Sequence, residues 1–144
     1  MHQKGSDGLK FPYSDGLNAD LAQESLLLSG TYPKLPHVLI IYIGCGENGK
    51  SARNELRMSV LGPNNGAHVD ASLLFKKEEF RISAGEHVDK MFWLIDETMS
   101  GEIDGSILKN LIGRSPILVR PPYGKRSEMI SWERCGFWFN VGVD

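Results

Sequence analysis

The chain has 144 residues, 41% of them hydrophobic, and its 16 Lys and Arg stand against 18 Asp and Glu for a net charge of −2. That suits one modest domain with a single core and excludes a wholly basic nucleic-acid coat. Two cysteines exclude a disulfide framework or a zinc spacing, and no apolar run is long enough to span a bilayer, so a soluble protein of a reducing compartment, cytoplasm or nucleus, is expected without membrane partners.

Residues 1–16 are rich in Gly, Ser and Asp and read as a flexible N-terminal segment without a signal-peptide core. Leu17, Leu21, Ala22, Leu26 and Leu28 predict a helix over 17–29 that Gly30 ends, and a proline-bearing connector runs to His37. The domain proper is expected over 38–144. It opens with Val38-Leu39-Ile40-Ile41-Tyr42-Ile43, a short β-branched run that reads as a buried parallel strand.

Gly44-Cys45-Gly46-Glu47-Asn48-Gly49-Lys50-Ser51 follows directly, and the segment from Lys50 to Leu61, free of Gly and Pro, predicts a helix. Strand, G-x-x-x-x-G-K-S, helix is the phosphate-binding loop in the context it requires. Gly44 and Gly49 permit a tight turn, and successive N–H groups form an anion nest reinforced by the helix N-terminus. Lys50 reaches the β- and γ-phosphates of ATP, and Ser51 offers a hydroxyl to Mg2+. On the helix, Ala52, Leu56, Val60 and Leu61 read as the apolar face, with Arg53, Asn54, Glu55 and Arg57 mostly outward.

Residues 62–66 form a turn, Val69 to Phe75 reads as a second strand, and the charged stretch Lys76 to His87 leans towards helix. Met91-Phe92-Trp93-Leu94-Ile95 is a further buried strand with Asp96-Glu97 at its carboxyl end, the edge where open α/β sheets bind ligands. Asp104 suits an N-cap, Ile107, Leu108, Leu111 and Ile112 a helical stripe, and Gly113 the C-cap. Residues 116–132 predict a hairpin with Lys125 and Arg126 at its tip, and Phe137-Trp138-Phe139 a last strand that ends at Asn140.

Charge is unevenly spread. Glu86, Asp89, Asp96, Glu97, Glu102 and Asp104 share their segment with one base, Lys90, whereas Lys109, Arg114, Arg120, Lys125, Arg126 and Arg134 outnumber Glu128 and Glu133 in the next. A metal–nucleotide site beside a polyanion site has this distribution. Nucleotide hydrolysis assigns the strand-end groups clear roles. Asp96 holds Mg2+ directly or through water, Glu97 is the natural base, and Asn140 fixes the attacking water.

The loop G-C-G-E-N-G-K-S, the strand F-W-L-I-D-E-T, the block L-K-N-L-I-G-R-S-P-I-L-V-R-P-P-Y-G-K and the closing F-W-F-N resemble superfamily 3 helicases, nearest in type to primase-helicases of large DNA viruses, including poxviruses, and of satellite phages. The resemblance spans Val38 to Asn140. It implies an AAA+-type P-loop NTPase core, α/β with a parallel sheet flanked by helices and an inserted β-hairpin, and ATP-driven translocation on single-stranded nucleic acid, DNA favoured, by a homo-oligomeric, hexameric ring. It also implies nucleic-acid contacts at Lys125, Arg126 and Tyr123. Ala52-Arg53-Asn54 departs from the more apolar helix start of the family. A further strand and an arginine finger are expected beyond Asp144, so a nucleotide-binding module with little hydrolysis is the alternative reading. A small-molecule kinase is disfavoured because the basic residues sit in a hairpin rather than a lid, and an RNA-virus helicase is a further alternative.

Overall fold

The computed structural model describes residues 3–4, 10–11, 14–29, 37–45, 49–96, 101–120, 123 and 126–142, with the backbone alone at 3–4, 10–11 and 14–17. Two short strands, β1 (Gln3–Lys4) and β2 (Lys10–Phe11), pair antiparallel before helix α1 (Ser14–Ser29). The main sheet is built from β3 (Ile40–Gly44), β4 (Gly66–Asp70), β5 (Phe92–Asp96) and β8 (Gly136–Gly142) in the order β3-β8-β5-β4, every pair parallel. Helices α2 (Lys50–Leu61), α3 (Lys77–Ser83) and α4 (Gly105–Ile112) and the antiparallel hairpin β6 (Ile117–Val119) and β7 (Glu128–Ile130) complete the architecture. The expected parallel α/β sheet with an inserted hairpin is therefore present.

Both faces are covered over the central strands β5 and β8, which is why these read as unbroken apolar runs rather than alternating ones; β3, expected as a buried strand, lies at the sheet edge and leaves Ile41 and Ile43 47% and 64% exposed. One face carries Tyr42, Phe92, Leu94 and Trp138 under Leu27 of α1 and Leu61 of α2. The other carries Val69, Trp93, Ile95, Phe137 and Phe139 under Phe80 of α3, Ile107 and Leu111 of α4, and Val119 and Trp132 from the hairpin region.

Four further local expectations need correction. The second strand is Gly66–Asp70 rather than Val69–Phe75, because Asp70 accepts a hydrogen bond from the Ser72 N–H at 2.8 Å and turns the chain into a 3-10 helix over Ala71–Leu74. β8 does not end at Asn140; it runs on to Gly142 because Val141 and Gly142 still pair with Ile43 and Gly44. Gly113 holds the C-cap position of α4 in a right-handed conformation, and the left-handed residue is Arg114, with φ 59°. Its N–H donates to Leu111 O, and that of Ser115 to Asn110 O, the paired bonds of a Schellman cap. An Arg stands where Gly is usual because its guanidinium is used elsewhere. It donates to the Trp132 carbonyl at 2.8 Å and to the Cys135 carbonyl, and lies over the Phe137 ring.

The fourth correction concerns α2. Its buried residues are Asn54, Arg57 and Leu61, while Leu56 and Val60 are 53% and 56% exposed. Leu61 and Glu55 lie as expected, but Asn54 and Arg57, expected outward, face inward, because α1 meets them with Asp20 and Glu24. Arg57 bonds both acids at 2.9 Å, and Arg53 lies 3.2 Å from Glu24.

Candidate functional site at the carboxyl edge of the sheet

β3 delivers the glycine loop to the carboxyl edge. Gly44 is its last residue and pairs with Gly142 of β8. Gly49 caps α2 with φ 88° and ψ 3°, a left-handed conformation that a Cβ would strain. Of the two described loop glycines, Gly49 has a positive φ and Gly44 does not. Lys50 begins α2 and reaches back to the end of β3: its Nζ donates to the Gly44 carbonyl at 2.7 Å and the Cys45 carbonyl at 3.0 Å. Ser51 is exposed in the first turn of α2, and Cys45 is exposed beside Gly44. Gly46, Glu47 and Asn48 lie outside the described residues.

The other half of the site comes from β8 and β5. Asn140 pairs in register with Asp96 on one side and with Tyr42 on the other, so the three share one row across the sheet. The Asn140 Nδ2 donates to Asp96 Oδ1 at 2.8 Å. Asn140 is only 8% exposed, and its Oδ1 is buried with no hydrogen-bond partner among the described residues. An acceptor desolvated in this way is costly unless something donates to it. β8 alone separates β3 from β5, so along that row Asp96 lies about 10 Å from the loop strand. Glu97 lies outside the described residues.

Asp70 was not singled out by its sequence. It is the register partner of Asp96 at the same edge, and its hydrogen bonds from Ser72 hold its carboxyl below the usual carboxylate range. Only the strand boundary hid it, since it fell inside a run read as strand.

At the hairpin, Tyr123 is fully exposed with φ 62°, and Arg126 and Arg120 are exposed; Lys125 lies outside the described residues. Arg114 does not belong to that basic surface. It is 2% exposed and committed to backbone carbonyls, and burial lowers its pKa. Among the described residues no cluster of three or more His, Cys, Asp and Glu could hold a metal, and no helix is long and apolar enough to cross a membrane.

No protein-family model and no curated protein sequence matches the chain. Among solved structures, it is similar to the A form apo structure of the NrS-1 C-terminal region (CTR), with a TM-score of 0.59 and 15% identity. That match covers 89% of this chain, which spans 30% of the neighbour's length. Likeness at this identity concerns the fold: a parallel four-stranded sheet flanked by helices.

Proposed function

We propose that this chain is the nucleotide-binding core of an ATP-dependent helicase of the superfamily 3 type, taking ATP at the carboxyl edge of its sheet and single-stranded DNA at its hairpin. The observation that carries the reading is the convergence at one edge of a left-handed glycine followed by Lys50 with the Asp96–Asn140 pair. The loop N–H groups and the Lys50 ammonium suit the polyphosphate. The carbonyl bonds of Lys50 keep its ammonium at the loop mouth before any phosphate arrives.

The donor set fits Mg2+, a hard ion that keeps most of its waters and takes few protein ligands. Ser51 and Asp96 would hold it, and bound there it would neutralise charge developing on phosphate oxygens. A dedicated cluster of acids is not needed for such a site. Asn140 is suited to orienting a water: its Nδ2 is engaged by Asp96, which leaves the buried Oδ1 to accept a hydrogen bond from that water. Glu97 is the base in this reading. DNA contact is assigned to Tyr123, Lys125 and Arg126, an aromatic beside two cations, a combination that stacks bases and tracks phosphates without reading sequence. Assembly into a ring belongs to the same reading.

The test is titration of a fluorescent ATP analogue with Mg2+ into the chain and its Lys50→Ala variant. Saturable binding that the substitution abolishes is expected. Equal affinity in both proteins would overturn the loop assignment.

A further inference from the structure

Among the described residues, the most extensive polar cluster joins α1, β3, α2 and β8. Asp20 and Arg57 have fully buried side chains. Arg57 donates Nε to Glu24 Oε1 at 2.9 Å, one terminal nitrogen to Asn54 Oδ1 at 2.6 Å, and the other to Asp20 Oδ1 at 2.9 Å and to the Tyr42 hydroxyl. Asp20 also accepts from the Trp138 indole N–H at 2.7 Å and from the Tyr42 hydroxyl. The Arg57 guanidinium stands 4.2 Å from the centre of the Trp138 ring.

We infer that Arg57 and Asp20 form a clamp that sets the span of the glycine loop and its position relative to Asn140, which makes them positioning residues for the nucleotide site. The placement carries the argument. The loop runs from Gly44, two residues after Tyr42, to Lys50, about two helical turns before Arg57. The Arg57–Tyr42 bond thus ties together the two elements from which the loop springs. Trp138 stands two residues before Asn140, and Tyr42 is the register partner of Asn140. One cluster therefore references the loop strand, the loop helix and the Asn strand to each other and to α1.

Stability is a poor explanation for this arrangement. Buried ion pairs are often matched or exceeded by apolar side chains of similar volume. What a guanidinium fork adds is direction, since its donors point along fixed lines in one plane. A loop binding phosphate through backbone N–H groups needs that precision, because a misplacement of about 1 Å can cost about 100-fold.

The inference rests on the nucleotide reading, and the experiment separates the two. Tyr42→Phe removes one hydroxyl and keeps the ring; Asp20→Asn with Arg57→Met removes both charges together and leaves neither buried alone. Each is measured for thermal midpoint, Mg-ATP analogue affinity, and the side-chain amide NMR signals of Asn140 without nucleotide. Expected are midpoints within about 5 °C of the unsubstituted chain, affinity lowered about tenfold or more, and displaced Asn140 signals. If the double variant does not fold, Tyr42→Phe alone decides. Unchanged affinity and unmoved Asn140 signals in folded Tyr42→Phe overturn the clamp while leaving the nucleotide site intact. An unsubstituted chain that binds no nucleotide removes the nucleotide reading, and the clamp falls with it.

Discussion

Asn140 donates its side-chain amide to Asp96 from the adjoining parallel strand, at 2.8 Å, and the two residues are register partners. The bond orients the amide and leaves its Oδ1 buried and open to a donor. Asn140→Asp would set a carboxylate against Asp96 in a desolvated row. Thermal unfolding should show a loss of about 1–3 kcal/mol, shrinking as pH falls and one carboxyl takes up a proton. If the chain hydrolyses ATP, Asn140→Ala should keep nucleotide affinity and lower turnover by about 100-fold. Full turnover in that variant would remove Asn140 from the chemistry.

Arg114 supplies a contrast with the surface bases. Its guanidinium holds the carbonyls of Trp132 and Cys135, and its backbone closes the α4 cap. Arg114→Ala should cost about 3 kcal/mol, since both carbonyls lose a charged donor. The salt dependence of any DNA binding, measured on the folded fraction, should stay as it was. A destabilisation below about 1 kcal/mol would show that neighbouring donors replace it.

The exposed Tyr123 and Arg126 should behave in the opposite way. Tyr123→Ala with Arg126→Ala is expected to leave the unfolding midpoint unchanged and weaken single-strand binding. Fluorescence anisotropy across a salt series should give a slope of log K against log salt shallower by about 0.7, one phosphate contact on a single strand. An unaltered slope would place the DNA contact elsewhere.

His87 packs edge-on against Trp93, their ring centres 5.6 Å apart. Burial holds its imidazole below the usual 6.5, opposed by Glu86, with Lys90 adding to the lowering and Asp89 resisting it. The unfolded chain therefore takes up this proton first as pH falls. The stability contributed is full above the unfolded pKa and is lost as pH drops through the folded one. Midpoints recorded between about pH 7 and pH 5 should fall less steeply for His87→Gln than for the unsubstituted chain. Parallel curves would mean that other groups govern the acid limb.

Much of the architecture was legible along the chain because it is local or strongly patterned. The apolar runs at 91–95 and 137–139 lie in strands buried on both faces, which is what such continuity calls for, whereas the run at 38–43 gives the edge strand β3, which leaves Ile41 and Ile43 exposed. The helix bounds Lys50–Leu61 follow from the Gly residues on either side, and Asp104 caps α4 through the Ser106 N–H as its residue type implies. The hairpin pairs Ile117 with Ile130 about the turn expected between them.

The buried side of α2 was not legible in the same way. An apolar-inward rule selects Leu56 and Val60, and it fails because the surface that α2 meets is acidic. A trace existed: Asp20 and Glu24 share the four-residue spacing of Arg53 and Arg57, so the two pairs match if the helices lie side by side. That they do lie so is decided at long range.

From residue order alone come the left-handed turn at Gly49, the helix that Lys50 and Ser51 open, and the apolar strands that carry Asp96 and Asn140, because torsional preference and hydrophobic periodicity act between near neighbours. Tertiary structure alone sets β8 between β3 and β5, brings Asn140 onto Asp96, and turns Arg57 into the core against Asp20. Those arrangements depend on which distant surfaces meet, and a buried charge or amide is tolerated only once its partner has arrived from elsewhere in the chain.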